Sequence, residues 1–175
     1  MDAIKLSAEQ VLEAYKSAGL SEKRLNRAQA TNTQMPSSGK FQELGFSSFK
    51  DEKGVERKYP VLVVVNKDGK KIGNIAVGTI MQQVSTGKAR LIRNEKSDYF
   101  GQWFHAGKAL NTVEGMTEAE QVSNLLGKSF TAKEKKDCTI PKINIVDGKP
   151  VFYSDEATAV AAVENKDCYL INILD

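Results

Sequence analysis

The residues whose types and spacing could do chemistry in this chain lie between Thr86 and Lys108. Lys88, Arg90, Arg93 and Lys96 precede Tyr99, Phe100, Trp103 and Phe104, and Lys108 follows. Cations that neutralise phosphates, set beside rings that stack on unpaired bases, are what a single-strand nucleic-acid binder needs. The competing reading is structural. Leu91 and Ile92 suggest a strand whose basic residues face water, and the rings, which include the chain's one Trp, then belong to a core. Of the two, burial of the rings is the expectation.

Other chemistry finds little support. The single histidine, His105, has no Gly-x-Ser-x-Gly elbow to serve, and Cys138 and Cys168 are read as small apolar residues at strand mouths rather than as nucleophiles. One His and two widely separated Cys do not make a zinc pattern, and Asp68-Gly69 and Asp147-Gly148 are hairpin turns rather than calcium loops. Gly127-Lys128-Ser129 matches the end of a phosphate-binding loop, but Val122 stands where its first glycine should be, and the tripeptide follows a helix instead of opening one. No catalytic residue, cofactor or metal is expected, and the chain is not read as an enzyme.

Length and charge bound the rest. The 175 residues suffice for one domain with a small appendage and need no disulfide framework, so the two thiols are expected free and packed. No apolar run approaches the roughly 20 residues of a membrane span, and the N-terminus lacks the pattern of an export signal. A soluble protein is expected, cytoplasmic or built into a particle. The net charge of +3 is uneven: residues 1–111 hold 18 Lys and Arg against 11 Asp and Glu, and residues 112–175 hold 7 against 11. Opposed basic and acidic halves can orient a protein on a polyanion or on copies of itself.

The elements that must position these residues start with a central hairpin. Tyr59 to Val65 is a β-branched apolar run, Lys67-Asp68-Gly69-Lys70 supplies a tight turn, and Ile72 to Val77 returns. Ser7 with Gln10, and Thr117 with Glu120, are capping boxes for helices that end at Gly19 and Gly127. A further short helix is expected from Ser21 to Ala28, then a polar arm from Thr31 to Lys40, and Phe46 and Phe49 are read as covering a sheet edge. Ser129 to Lys135 alternates as a strand, Lys142 to Tyr153 forms a second hairpin, Ser154 to about Glu164 a helix, and Tyr169 to Leu174 a terminal strand. Lys136-Asp137-Cys138 before Ile143-Asn144-Ile145, and Lys166-Asp167-Cys168 before Ile171-Asn172-Ile173, read as an echo that would place two similar strands in one sheet, with Asn144 and Asn172 facing away from its core.

The expected fold is therefore α+β: a largely antiparallel sheet or small β-barrel, the latter of an oligonucleotide-binding type, with three or four short peripheral helices. Residues 1–40 would form a helical segment and arm, and 41–175 the core domain. The leading functional expectation is a non-enzymatic structural or interaction protein, a small subunit of a large assembly such as a virus or phage particle. It would dock on other protein subunits through the N-terminal helices and arm. The alternative is single-stranded nucleic-acid binding by the segment 88–108.

Overall fold

A computed structural model of the chain describes residues 2–20, 35–50, 53–111, 115–142, 145–146 and 149–174. The expected helix from Ser21 to Ala28 and the first part of the arm lie outside them. The chain divides into two compact units: Met1–Met81, Asn111–Glu134 and Tyr169–Asp175 make the first, Gln82–Leu110 and Lys135–Cys168 the second.

The first unit is organised by the run that the apolar pattern marks. Strand β1 (Ser38–Lys50) pairs antiparallel with β2 (Glu56–Val65), and β2 with β3 (Lys71–Ala76). Val61, Leu62, Val64 and Val65 are buried, as a β-branched run between two neighbours requires. The β2–β3 turn is tight because Asn66 Oδ1 accepts from the N–H groups of Asp68 and Lys70, each at 3.0 Å, and Gly69 takes φ +77°.

Ser38 to Lys40, read from composition as the end of an arm, open β1 and pair with β6 (Ser129–Pro141). Gly39 permits this close approach, since a Cβ there would collide with the Val64 side chain and meet the Val65 carbonyl oxygen at 3.2 Å. Phe41 and Phe130 then stack at 4.3 Å across the core.

Helix α1 (Ala8–Ser17) carries its capping box and buries Val11 and Tyr15. Its apolar face is covered within the first unit, where Tyr15 meets Phe46 of β1 edge-on at 5.9 Å. Helix α3 (Glu118–Leu125) has the expected Thr117–Glu120 box, buries Val122, and ends at Gly127 with φ +85°. The four-residue helix α2 (Val77–Ile80) was not anticipated; it forms where β3 stops and Val77, Thr79 and Ile80 are buried.

The sheet order is β3-β2-β1-β6-β9, with β9 (Val163–Ile173) the last strand. The divisions between the units fall inside β6, after Glu134, and inside β9, after Cys168. The fold is α+β and mostly antiparallel with four short helices among the described residues; the barrel alternative is corrected, because the strand order is open rather than closed.

The second unit holds the pair β4 (Gln83–Leu91) and β5 (Trp103–Ala109), the short hairpin β7 (Ile145–Val146) and β8 (Lys149–Pro150), and helix α4 (Glu156–Ala161), which packs on β4 and β5. Asp155, one residue later than the anticipated Ser154, caps α4: its carboxylate accepts from Thr158 N–H at 2.7 Å and Thr158 Oγ1 at 2.9 Å, which holds its pKa below the usual carboxylate range. A small cluster of Cys138, Ile140 and Cys168, with Val84 and Leu110 against it, forms the apolar centre.

The echo resolves differently in its two copies. The second lies within β9, with Asn172 exposed, whereas the first is split: Lys136 to Cys138 lie in β6, and Ile145 lies in the separate β7–β8 hairpin. Ile143 and Asn144 are outside the described residues. The aspartates of the two copies meet, Asp137 N–H donating to the Asp167 carboxylate at 3.2 Å, with Asp137 at φ +57°.

Candidate nucleic-acid interface

The basic and aromatic segment is the β4–β5 hairpin and its loop. Residues Ala89 to Leu91 face His105 to Trp103, and Gln83 to Ser85 face Ala109 to Gly107, so Thr86, Gly87 and Lys88 bulge out opposite Ala106. Gly87 supplies φ +73° at the bulge. Thr86 Oγ1 donates to the Ala106 carbonyl at 3.0 Å, and Gly87 N–H donates to Ser85 Oγ at 3.0 Å.

His105 locks this arrangement. Its Nδ1 lies 2.8 Å from the Ala106 carbonyl, which can only accept, so Nδ1 carries a proton; Nε2 lies 3.2 Å from Ser85 Oγ. The pair has the outline of a serine–histidine dyad. Yet the ring is 8% exposed and Ser85 Oγ is already engaged by Gly87, so the contacts account for the bulge and for where Lys88 emerges.

The loop is held by its own polar groups. Ile92 N–H donates to Gln102 O at 2.9 Å and Gly101 N–H returns to Ile92 O at 3.0 Å, which closes its neck. Within it Asn94 Oδ1 accepts from Lys96 N–H and Ser97 Oγ from Tyr99 N–H, local turns of the kind Asn and Ser favour.

Lys88, Arg90, Arg93, Lys96 and Lys108 are all exposed. They stand against two acidic side chains in the same hairpin, Glu95 and Asp98. Arg90 sits directly opposite Phe104, which places a guanidinium and a ring side by side on one face.

The aromatics divide between the two roles the residue types allow. Phe100 is 53% exposed. Tyr99, Trp103 and Phe104 are half-buried. Phe152 lies between two of them, 4.5 Å from Tyr99 and 6.2 Å from Phe104, and the Trp103 backbone pairs with Tyr153 through bonds of 2.7 and 2.8 Å. Phe152 escaped sequence reasoning because nothing local ties it to a segment some fifty positions earlier; only its apolar type near a turn was visible.

Two other titratable pairs are buried. Cys138 and Cys168 are free and buried, and burial, followed by the hydrogen-bonding Cys138 thiol, pushes the Cys168 thiol up to about 12. In the first unit, burial pushes the Glu118 carboxyl up to about 7, and burial together with that carboxyl raises the neighbouring Tyr15 hydroxyl. Neither group makes a hydrogen bond of good geometry. Among the described residues no cluster of three or more His, Cys, Asp or Glu could hold a metal ion, and no helix is long and apolar enough to cross a membrane.

Compared with known proteins, the chain matches no family model, no curated protein and no solved structure.

Proposed function

We propose that this protein binds single-stranded nucleic acid through the β4–β5 hairpin, without catalysis. The observation that carries the reading is the set of five exposed cations spread along the hairpin and its loop, with Phe100 exposed in the loop and Arg90 opposite Phe104. Such a surface holds phosphates by charge and offers a π-face that any base can use. The half-buried rings of Tyr99 and Phe104, braced by Phe152, stiffen that surface and lower the entropy lost on binding.

Fluorescence anisotropy with labelled single-stranded DNA tests this. Affinity should fall steeply with salt, because each neutralised phosphate releases counterions, and Lys88→Glu with Arg90→Glu should flatten the dependence. A salt-independent or absent interaction would remove the proposal.

The assembly reading keeps one specific observation. On the terminal strand Leu170 and Ile173 are exposed, and just past it Leu174 is 58% exposed, more outward apolar surface than a solvated strand needs. A subunit of a larger particle, a virion included, would bury such residues. Docking through α1 is less favoured, since Val11 and Tyr15 already lie in the core of the first unit. Light scattering of the purified chain, with and without Leu174→Lys, distinguishes a self-associating protein from a monomer.

A further inference from the structure

The bulge in β4 is pinned by a closed circuit of hydrogen bonds. The Ala106 carbonyl accepts from His105 Nδ1 at 2.8 Å and from Thr86 Oγ1 at 3.0 Å, and Ser85 Oγ accepts from Gly87 N–H at 3.0 Å. With Nδ1 protonated, Nε2 of the neutral ring is an acceptor, so Ser85 Oγ donates to it at 3.2 Å. The imidazole closes the circuit, because Ser85 on β4 and Ala106 on β5 both bond to it.

What the circuit holds in place is the next residue. Three residues facing one leave Lys88 without a register partner, so its direction depends on the bulge, where Gly87 turns the chain at φ +73°. From Lys88 onward β4 alternates regularly, with Lys88 and Arg90 exposed and Ala89 and Leu91 half-buried, so the two cations share one face. Phe104, the register partner of Arg90, lies on that face too. Two residues of strand span roughly 6.6 Å, a spacing that suits successive phosphates of an extended single strand.

We propose that His105 is a positioning residue for nucleic-acid binding: through Ser85 and Ala106 it fixes the bulge that sets Lys88 in line with Arg90, and the two cations meet successive phosphates of one strand. This rests on the reading of the β4–β5 hairpin as the interface. The ring is 8% exposed, so it acts through Lys88 and not by contact. Its effect is to reduce the freedom that the lysine loses on binding.

Salt titrations by anisotropy test it, with an oligothymidylate of about 30 nucleotides and full-length wild type, Lys88→Gln, His105→Phe and the double variant. Lys88→Gln should reduce the slope of log affinity against log salt by about 0.7, the loss of one phosphate contact. His105→Phe should weaken binding several-fold and move the slope toward that of Lys88→Gln, and the double variant should bind as Lys88→Gln does. Circular dichroism checks each fold, and Ser85→Ala, which opens the circuit from its other side, replaces His105→Phe if that variant unfolds. An equal loss from His105→Phe with and without Lys88 would make the ring a general brace of the hairpin and overturn the proposal, as would wild-type binding by His105→Phe. Wild-type affinity and slope in Lys88→Gln also overturn it, and leave the hairpin reading to the other cations. No binding by the wild type removes both.

Discussion

The side-chain amide of Asn111 stands in for a strand beside Ile171. Its Oδ1 accepts from Ile171 N–H at 3.0 Å while its Nδ2 donates to the Tyr169 carbonyl at 2.8 Å, the two bonds a neighbouring strand would make; Nδ2 also donates to Ile80 O at 2.8 Å. The outer edge of β9 is thus closed by one residue where a sheet edge would otherwise offer free backbone groups. Asn111→Ala should cost about 2–4 kcal/mol, because three backbone groups lose their partner in a half-buried site. Urea denaturation measures this. A change below about 0.5 kcal/mol would mean that water replaces the amide without penalty.

Glu118 makes the stability of the first unit depend on pH. It is 8% exposed and its folded pKa of about 7 lies above the ordinary carboxyl value of 4.5. The folded chain therefore binds a proton that the unfolded chain has released in this window. The contribution is most favourable below pH 4.5 and is lost as pH rises through 7, in total about 3 kcal/mol. Tyr15 adds no slope there, since its hydroxyl is shifted upward and stays protonated. Thermal melts should show Tm falling between pH 5 and pH 8, and Glu118→Gln should remove that part of the fall. A Glu118→Gln curve parallel to wild type would show that the carboxyl is hydrated.

The thiols should be inert in the native protein. Cys168 is buried and its pKa of about 12 leaves almost no thiolate at neutral pH, and Cys138 is buried beside it. A chromogenic disulfide reagent should react slowly with folded protein and with two equivalents at once in denaturant. Rapid reaction of one thiol in the native state would show that the small cluster around Ile140 opens to solvent.

What was legible in the sequence was local. The Val61 to Val65 run, the Asp68-Gly69 turn and the Thr117–Glu120 box each carry their cause within a few residues, and each occurs as expected. What was illegible depends on contacts made at long range. β9 begins at Val163, six residues before Tyr169, because its polar first half pairs with β6: Thr139 Oγ1 meets Asn165 Oδ1 at 3.3 Å. Phe46 and Phe49 look alike in sequence, yet strand alternation sends one toward Tyr15 and the other into solvent. In the candidate site the cations were readable, since Lys and Arg in a short strand have few places to go except water. The partition of the rings was not, because Phe152 reaches Tyr99 and Phe104 only through the fold.

That partition gives the sharpest test of the site, because Phe100 and Trp103 should respond oppositely. Phe100 is 53% exposed and contributes little to packing, so Phe100→Ala should shift stability by less than about 0.5 kcal/mol. If bases stack there, its affinity for single-stranded DNA should fall by about 1–3 kcal/mol. Trp103 is half-buried in β5, opposite Leu91, with its backbone bonded to Tyr153. Trp103→Ala should therefore lower stability, by about 2–3 kcal/mol rather than the 3–5 kcal/mol of a fully enclosed ring. Its affinity should fall only as far as the hairpin loosens, and wild-type Trp fluorescence should change modestly on binding. Denaturation and anisotropy on both variants separate the roles. If Phe100→Ala binds as wild type while Trp103→Ala stays fully stable and loses binding, Trp103 is the stacking ring and Phe100 is merely exposed.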